Sequence, residues 1–222
     1  MPFLFCLLYF KKIKTKEKKV FFLYTILIAI LVSVGVSLLY YFKLPEYYFR
    51  VTRIYILIHF TVLVYFFSLY VRNRAAKKIF LIVLIGFFLY CIYDYYSEKV
   101  PGIPFVPVNI AHISLLLIII YYFFEVMQES VVEPIYQSAI FWICVAFIIN
   151  SAGNFFLFLY SKNSFNDEIF KKQYTIIYTT VTVIKNLLLC ISILIKESPK
   201  NSSLNESFDI DLDSFNPIKN QN

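Results

Sequence analysis

Charge is scarce in this chain of 222 residues: Asp, Glu, Lys and Arg make up 16%, against roughly 25% in an ordinary soluble domain. That shortage excludes a solvated globular surface and a disordered polyelectrolyte. Glycine is rare, at four residues, which excludes a collagen-like chain. The four cysteines, Cys6, Cys91, Cys144 and Cys190, stand in separate apolar segments with no C-x-x-C pair, so a disulfide scaffold, a redox motif and a cysteine-held metal cluster all lack their spacing. Buried cysteine acting as a small hydrophobe is the expectation. Histidine occurs twice, as His59 and His112, too few for a three-histidine zinc site.

What fills the chain is apolar. Hydrophobic residues make up 60%, and they fall in separable runs at 20–42, 51–71, 79–96, 108–127, 135–160 and 173–195. Each is long enough for the ~20 helical residues that cross a ~30 Å hydrocarbon layer. Many residues in them are β-branched or aromatic, which in water favours strands. In lipid a segment must satisfy its own backbone groups, so uninterrupted runs of this length predict helices, and the alternating ~10-residue segments of a β-barrel are missing. The predicted fold is all-α, a polytopic transmembrane bundle of about six spans. A basic segment at 1–19 precedes the membrane domain at 20–195, and a polar tail at 196–222 follows it. Met1–Phe10 is apolar but too short to span, and it precedes the lysines, the reverse of a signal peptide.

Basic residues orient the bundle. Lys11, Lys12, Lys14, Lys16, Lys18 and Lys19 precede span 1, Arg72, Arg74, Lys77 and Lys78 join spans 2 and 3, and Lys196 and Lys200 follow span 6. The opposite side has Lys43, Arg50, Arg53, Lys99, Lys162, Lys171 and Lys172. Since positive loops stay inside, both termini are expected in the cytoplasm. The loop 128–134 runs against the pattern, with Glu129 and Glu133 and no base. The net charge of +7 flanks spans, so anionic lipid rather than nucleic acid is the expected counterpart.

Residues 196–222 are too rich in Ser, Asn and Asp to pack and are expected to be disordered. Within them, Phe208 to Phe215 alternates apolar and polar positions, a pattern suited to adding a strand to a partner's sheet, against the plainer reading of a solubilising tail. Asn201 and Asn205 fit the glycosylation acceptor pattern, which carries no meaning on a cytoplasmic segment.

Polar groups at membrane depth are expensive and usually face protein or a wet cavity. On span 6, Thr175, Thr179, Thr182 and Asn186 form a stripe about 60° wide at helical spacing. Span 5 gathers Ala139, Ala146, Asn150, Gly153 and Asn154, and span 1 has Ala29, Ser33 and Ser37 at i, i+4, i+8. Plain helix packing is the first reading of all three faces. A second set gathers by depth: Arg53, His59, Asp94, Asn109, His112, Asn150 and Asn154 all fall in the outer half. They predict an outward-facing polar pocket, with Pro101 to Pro107 as its stiff rim. Arg53 and His59, however, are about 120° apart on their helix and do not point into one pocket. Lys185 is the costliest residue, ~15 Å from the inner boundary, farther than a lysine comfortably snorkels. Its partner is open between Asp94, Glu125 and a wet cavity.

Three function classes compete. An intramembrane lipid hydrolase of the ceramidase or progestin-receptor type needs three histidines, and a His59, His112, Asp94 metal set has a permissible ligand count but no defining spacing. A small-solute transporter or channel subunit suits Lys185 and the polar group. It lacks an inverted repeat and proline-broken helices, and six short helices need a homo-oligomer to form a usual pathway. The third class is a non-enzymatic sensory or accessory module. At Phe141-Trp142 followed by Asn150-Ser-Ala-Gly-Asn154-Phe-Phe, and in the Tyr/Thr/Lys-Asn pattern of span 6, the chain resembles polytopic membrane proteins of Bacteroidetes. Some of these stand alone and others precede sensor histidine kinases; the resemblance covers about residues 55–195. It implies a bacterial inner-membrane protein dependent on partners. No cofactor and no metal are expected; the expected partners are the bilayer, a protein on the tail, and a second copy.

With both ends cytoplasmic, a fluorescent reporter fused beyond Lys200 is expected to mature while alkaline phosphatase at the same site stays inactive. Active phosphatase there reverses the orientation.

Overall fold

The computed structural model describes residues 16–97, 104–128, 135–164 and 167–195. It is all-helical among these residues: α1 (Lys16–Tyr40), α2 (Pro45–Tyr70), α3 (Arg74–Ser97), α4 (Phe105–Met127), a short 3-10 turn (Ile135–Gln137), α5 (Ala139–Ser164) and α6 (Glu168–Leu194). All six α-helices are long and apolar enough to cross a membrane. The protein is thus an integral, multi-pass membrane protein whose apolar helices contact lipid. The N-terminal ten residues, most of the basic run, the 128–134 loop beyond Gln128, the Pro101 to Ile103 part of the rim, and the tail with its alternating segment lie outside the described residues.

The helix ends show why these boundaries arise. α1 begins at Lys16, a turn earlier than hydropathy places it, because lysine is a good helix former where the chain meets polar surroundings. Its other end closes with Leu44 N donating to Leu38 O at 2.9 Å, and Lys43 takes φ 53°, a left-handed conformation that costs a non-glycine residue ~1–2 kcal/mol. Pro45 opens α2, where its missing N–H has no partner to lose. Asn73 caps α3, its Oδ1 accepting from Ala75 N at 2.8 Å, and Asp167 caps α6, its Oδ1 accepting from Ile169 N at 2.9 Å. α4 starts at Phe105, so Pro107 is part of its first turn rather than of a rim. Proline is tolerated there because first-turn N–H groups lack intrahelical acceptors.

Consecutive helices run antiparallel in a consistent register: Phe60 meets Phe87 across α2 and α3, Phe123 meets Phe141 across α4 and α5, and Phe158 meets Tyr174 across α5 and α6. α2 is central, packing on α1, α3 and α4, whereas the main packing of α6 is on α5. The core is aromatic, with Phe60, Phe66, Phe67 and Phe147 fully buried beside Leu63, Leu115 and Ile119. Leu23, Ile82, Leu117 and Phe156 are exposed on the outside of the bundle, as expected where lipid is the solvent.

Two of the expected packing faces lie elsewhere. α1 meets α2 where the Tyr48 ring lies 3.7 Å from the position a Cβ on Gly35 would occupy, while Ser33 is exposed. Thr175 and Thr179 on α6 are also exposed. Thr175 Oγ1 donates to Lys171 O at 2.9 Å, so its hydroxyl is satisfied within its own helix and needs no neighbour. The small-residue face of α5 does pack: Ala139, Ala146, Asn150 and Asn154 are buried, and a Cβ on Gly153 would come 2.8 Å from Val181 Cγ2.

Gly153→Leu is expected to weaken the α5–α6 contact by about 1–3 kcal/mol, the usual cost of overpacking, lowering the unfolding midpoint in detergent. Val181→Ala in the same chain should restore part of the loss, and an unchanged midpoint for Gly153→Leu alone contradicts the contact.

Candidate functional site

Asp94 and Glu125, in the terminal turns of their helices, have their own partners. Asp94 on α3 faces Arg53 on α2, with Oδ2 and Nη2 3.6 Å apart, an ion pair longer than a direct hydrogen bond. Glu125 at the end of α4 accepts from Arg72 N at 3.0 Å and from Asn73 N at 2.8 Å. It thereby places a negative charge at the start of α3, where first-turn N–H groups favour an anion. Neither carboxylate is the partner of Lys185. Glu46, Asp167 and Glu168 are exposed near the starts of α2 and α6. Among the described residues, no carboxylate lies within ion-pair distance of the Lys185 ammonium.

His59 sits in the middle of α2 inside an aromatic cage. Its Nδ1 shares a hydrogen bond of 2.9 Å with Tyr24 Oη from α1, the donor depending on the tautomer. The Tyr55 ring stacks on it with a centroid separation of 5.5 Å, and Phe147 of α5 closes another side at 6.1 Å. His112 on α4 is likewise buried. Its Nδ1 lies 3.4 Å from Ser151 Oγ, and its ring stacks on Phe158. Lys185 lies within electrostatic range of both imidazoles, and His112 within range of His59. Lys185 therefore belongs to a mid-membrane cluster with His59 and His112.

From this cluster two matched rows climb toward the helix ends at Pro45 and Glu168. On α2 they are Tyr48, Thr52, Tyr55 and His59; on α6 they are Tyr174, Tyr178, Val181 and Lys185. Both follow i, i+4, i+7, i+11, the spacing of one helical face. The α6 row packs on α5, with Val181 Cγ2 2.8 Å from where a Cβ on Gly153 would stand and the Tyr174 and Tyr178 rings against Phe158, and Tyr48 of the α2 row lies against Gly35 of α1; the two rows are within electrostatic range of each other. The main contact of α6 is nevertheless with α5. Tyr178 keeps 40% of its surface exposed and Lys185 is half-buried.

The remaining expected site residues divide around this cluster. Asn154 Nδ2 donates to Asn150 Oδ1 at 3.2 Å, while the buried Oδ1 atoms of Asn154 and Asn109 have no donor among the described residues. Such orphaned acceptors mark places for a water or a ligand hydroxyl. Asn186 follows Lys185 and so projects about 100° away from it, along the stripe of Thr182 and Thr179. The expected pocket thus separates into an Arg53–Asp94 pair between α2 and α3 and a histidine–lysine cluster among α2, α4 and α6. The metal set of His59, His112 and Asp94 is not assembled, and no three ligating side chains converge among the described residues.

Tyr24, Tyr55, Ser151, Tyr174 and Tyr178 were not among the expected site residues. The signal for the tyrosines was present in the helical spacing of Tyr48, Tyr55 and His59 and of Tyr174, Tyr178 and Lys185, obscured by the 19 tyrosines of the chain. No family model matches the chain, and neither a curated protein nor a solved structure matches it.

Removing the Tyr24 hydroxyl by Tyr24→Phe is expected to destabilise the protein by ~0.6–1.7 kcal/mol, the range for hydrogen bonds between membrane helices. In a double-mutant cycle, Tyr24→Phe and His59→Phe should then be non-additive; additive losses in the unfolding free energy rule out a shared bond.

Proposed function

We propose that this membrane protein is a non-enzymatic sensory or accessory module of a bacterial inner membrane, with both termini cytoplasmic and an outward-facing polar pocket around Lys185, His59 and His112. The resemblance to Bacteroidetes membrane proteins and to the segments that precede sensor kinases supports the sensory reading, and a partner on the tail would carry the output. The observation that carries the proposal is Lys185: a cation in mid-membrane beside two histidines, with no described carboxylate to neutralise it. An unpaired charge there is maintained against a cost of several kcal/mol, which a bound ligand offsets.

Catalysis fits less well. Ser151 and His112 pair a serine hydroxyl with an imidazole, but Ser151 has 0% exposure and sits mid-helix, so no substrate carbonyl reaches it. A small-solute transporter is the second reading, favoured by the peripheral placement of α6, whose main packing is on one helix and which can therefore shift with little repacking.

Native mass spectrometry of the protein released from nanodiscs is expected to find a non-protein species on the wild type that is lost from Lys185→Met. Identical spectra for the two proteins defeat the ligand-binding reading, and vesicle uptake of the recovered species that depends on Lys185 favours transport.

A further inference from the structure

The contact between α2 and α3 leaves a groove beside it. Phe60 meets Phe87 with ring centroids 4.4 Å apart, and Arg53 pairs with Asp94. To one side of that line lies a groove of about 410 Å³, walled by Leu57, Ile58 and Thr61 of α2 and by Leu84, Ile85 and Phe88 of α3. The Thr61 hydroxyl is turned back, its Oγ1 donating to Leu57 O at 2.7 Å. Ile85 and Phe88 are about half exposed, so the groove opens to the lipid around the bundle. An occupant of this part has an apolar body, because a polar group would find no partner there.

Toward the Pro45 end the same face of α2 becomes cationic. Tyr47, Ile54, Ile58 and Thr61 follow i, i+7, i+11, i+14, the spacing of one helical face. The Arg50 guanidinium lies over the Tyr47 ring, 5.7 Å from its centroid, so a cation stands above the groove on the side of the headgroups. Arg53 is engaged by Asp94, whereas among the described residues no carboxylate lies within ion-pair distance of Arg50. Lys43 and Arg50 outnumber the exposed Glu46 at this end of α2. On α3, Leu84, Phe88 and Tyr95 share a face at i, i+4, i+11. The register fixed by Arg53 and Asp94 brings Tyr95 within a turn of the level of Arg50, the place of an interfacial tyrosine.

The length also fits. From Arg50 to Thr61 is eleven residues, a rise of ~16 Å, close to half of a ~30 Å hydrocarbon layer and so to the depth of one leaflet. A helix of a second copy, ~10–12 Å across, would bridge such a groove without filling it and would leave Arg50 unmatched. We propose that the α2–α3 groove binds one anionic phospholipid, with an acyl chain along Leu57, Thr61 and Phe88 and the phosphate against Arg50. The guanidinium fork matches phosphate oxygens in charge and geometry, and the positive balance at this end favours a headgroup that carries no ammonium. This site is separate from the Lys185 cluster and does not depend on the reading above.

The test places the full chain in phosphatidylcholine nanodiscs doped with phosphatidylglycerol or phosphatidylcholine whose acyl chain carries a photoactivatable diazirine, and locates the crosslinked peptides by mass spectrometry. Phosphatidylglycerol is expected to label the groove walls of α2 and α3 about fivefold more heavily than phosphatidylcholine, the share of one base at an anionic headgroup. Arg50→Gln should remove that preference and Arg50→Lys should keep most of it. Thr61→Phe, which fills the groove and leaves Arg50 in place, should abolish groove labelling by both probes. The two ends of the site are thus tested by separate variants, and either one decides if the other does not fold. Equal labelling by the two probes on the wild type, groove labelling that persists in Thr61→Phe, or crosslinks between copies in place of lipid adducts overturns the proposal.

Discussion

Lipid offers no partner to a polar atom, and the arrangement of this bundle follows from where each polar atom finds one inside the protein. Three solutions recur. Hydroxyls turn back on their own helix, as Thr61 does by donating to Leu57 O at 2.7 Å and Ser161 to Leu157 O at 2.6 Å. Charged and aromatic polar groups pair across helices, as Arg53 does with Asp94 and His59 with Tyr24. Glu125 accepts two backbone donors at the start of another helix. Each cross-helix solution also fixes a register: Arg53–Asp94 sets α3 against α2, Tyr24–His59 sets α1 against α2, and Glu125 ties the end of α4 to the α2–α3 turn. Apolar packing in lipid cannot supply that specificity, because the solvent is as apolar as the side chains.

Lys185 follows none of these patterns: among the described residues no carboxylate lies within ion-pair distance of it. α2 is held on three sides while α6 relies mainly on α5, and the contact that allows their close approach depends on the absence of a side chain at Gly153.

Fold class was legible because the requirement for ~20 apolar residues per crossing is a one-dimensional property of the chain. The six runs correspond to the six helices, with shifts at their ends where polar residues such as Lys16 and Glu168 extend a helix beyond its apolar part. The site was legible only by depth. His59, His112 and Lys185 were recognisable as costly residues, and the angular separation of Arg53 from His59 anticipated their different neighbours. Which acid faced which base was not readable, since Asp94 and Glu125 are partnered by residues on other helices, and helical phase alone does not fix how helices rotate against each other. The Thr175 face misled for a related reason: a hydroxyl satisfied by its own backbone exerts no pull on a neighbour.

The placement of Lys185 on the last helix has a bearing on biogenesis. A lone helix with a central lysine resists transfer into the bilayer by ~2.5–3.5 kcal/mol, and α6 emerges after α1 to α5 have been synthesised. The two histidines within electrostatic range of Lys185 in the finished protein are then already in the membrane, on α2 and α4. They offer the arriving ammonium a polar surface that bare lipid does not. The cluster thus has a role before any ligand arrives, as the docking point that lets the translocon release its final segment sideways into a waiting five-helix assembly.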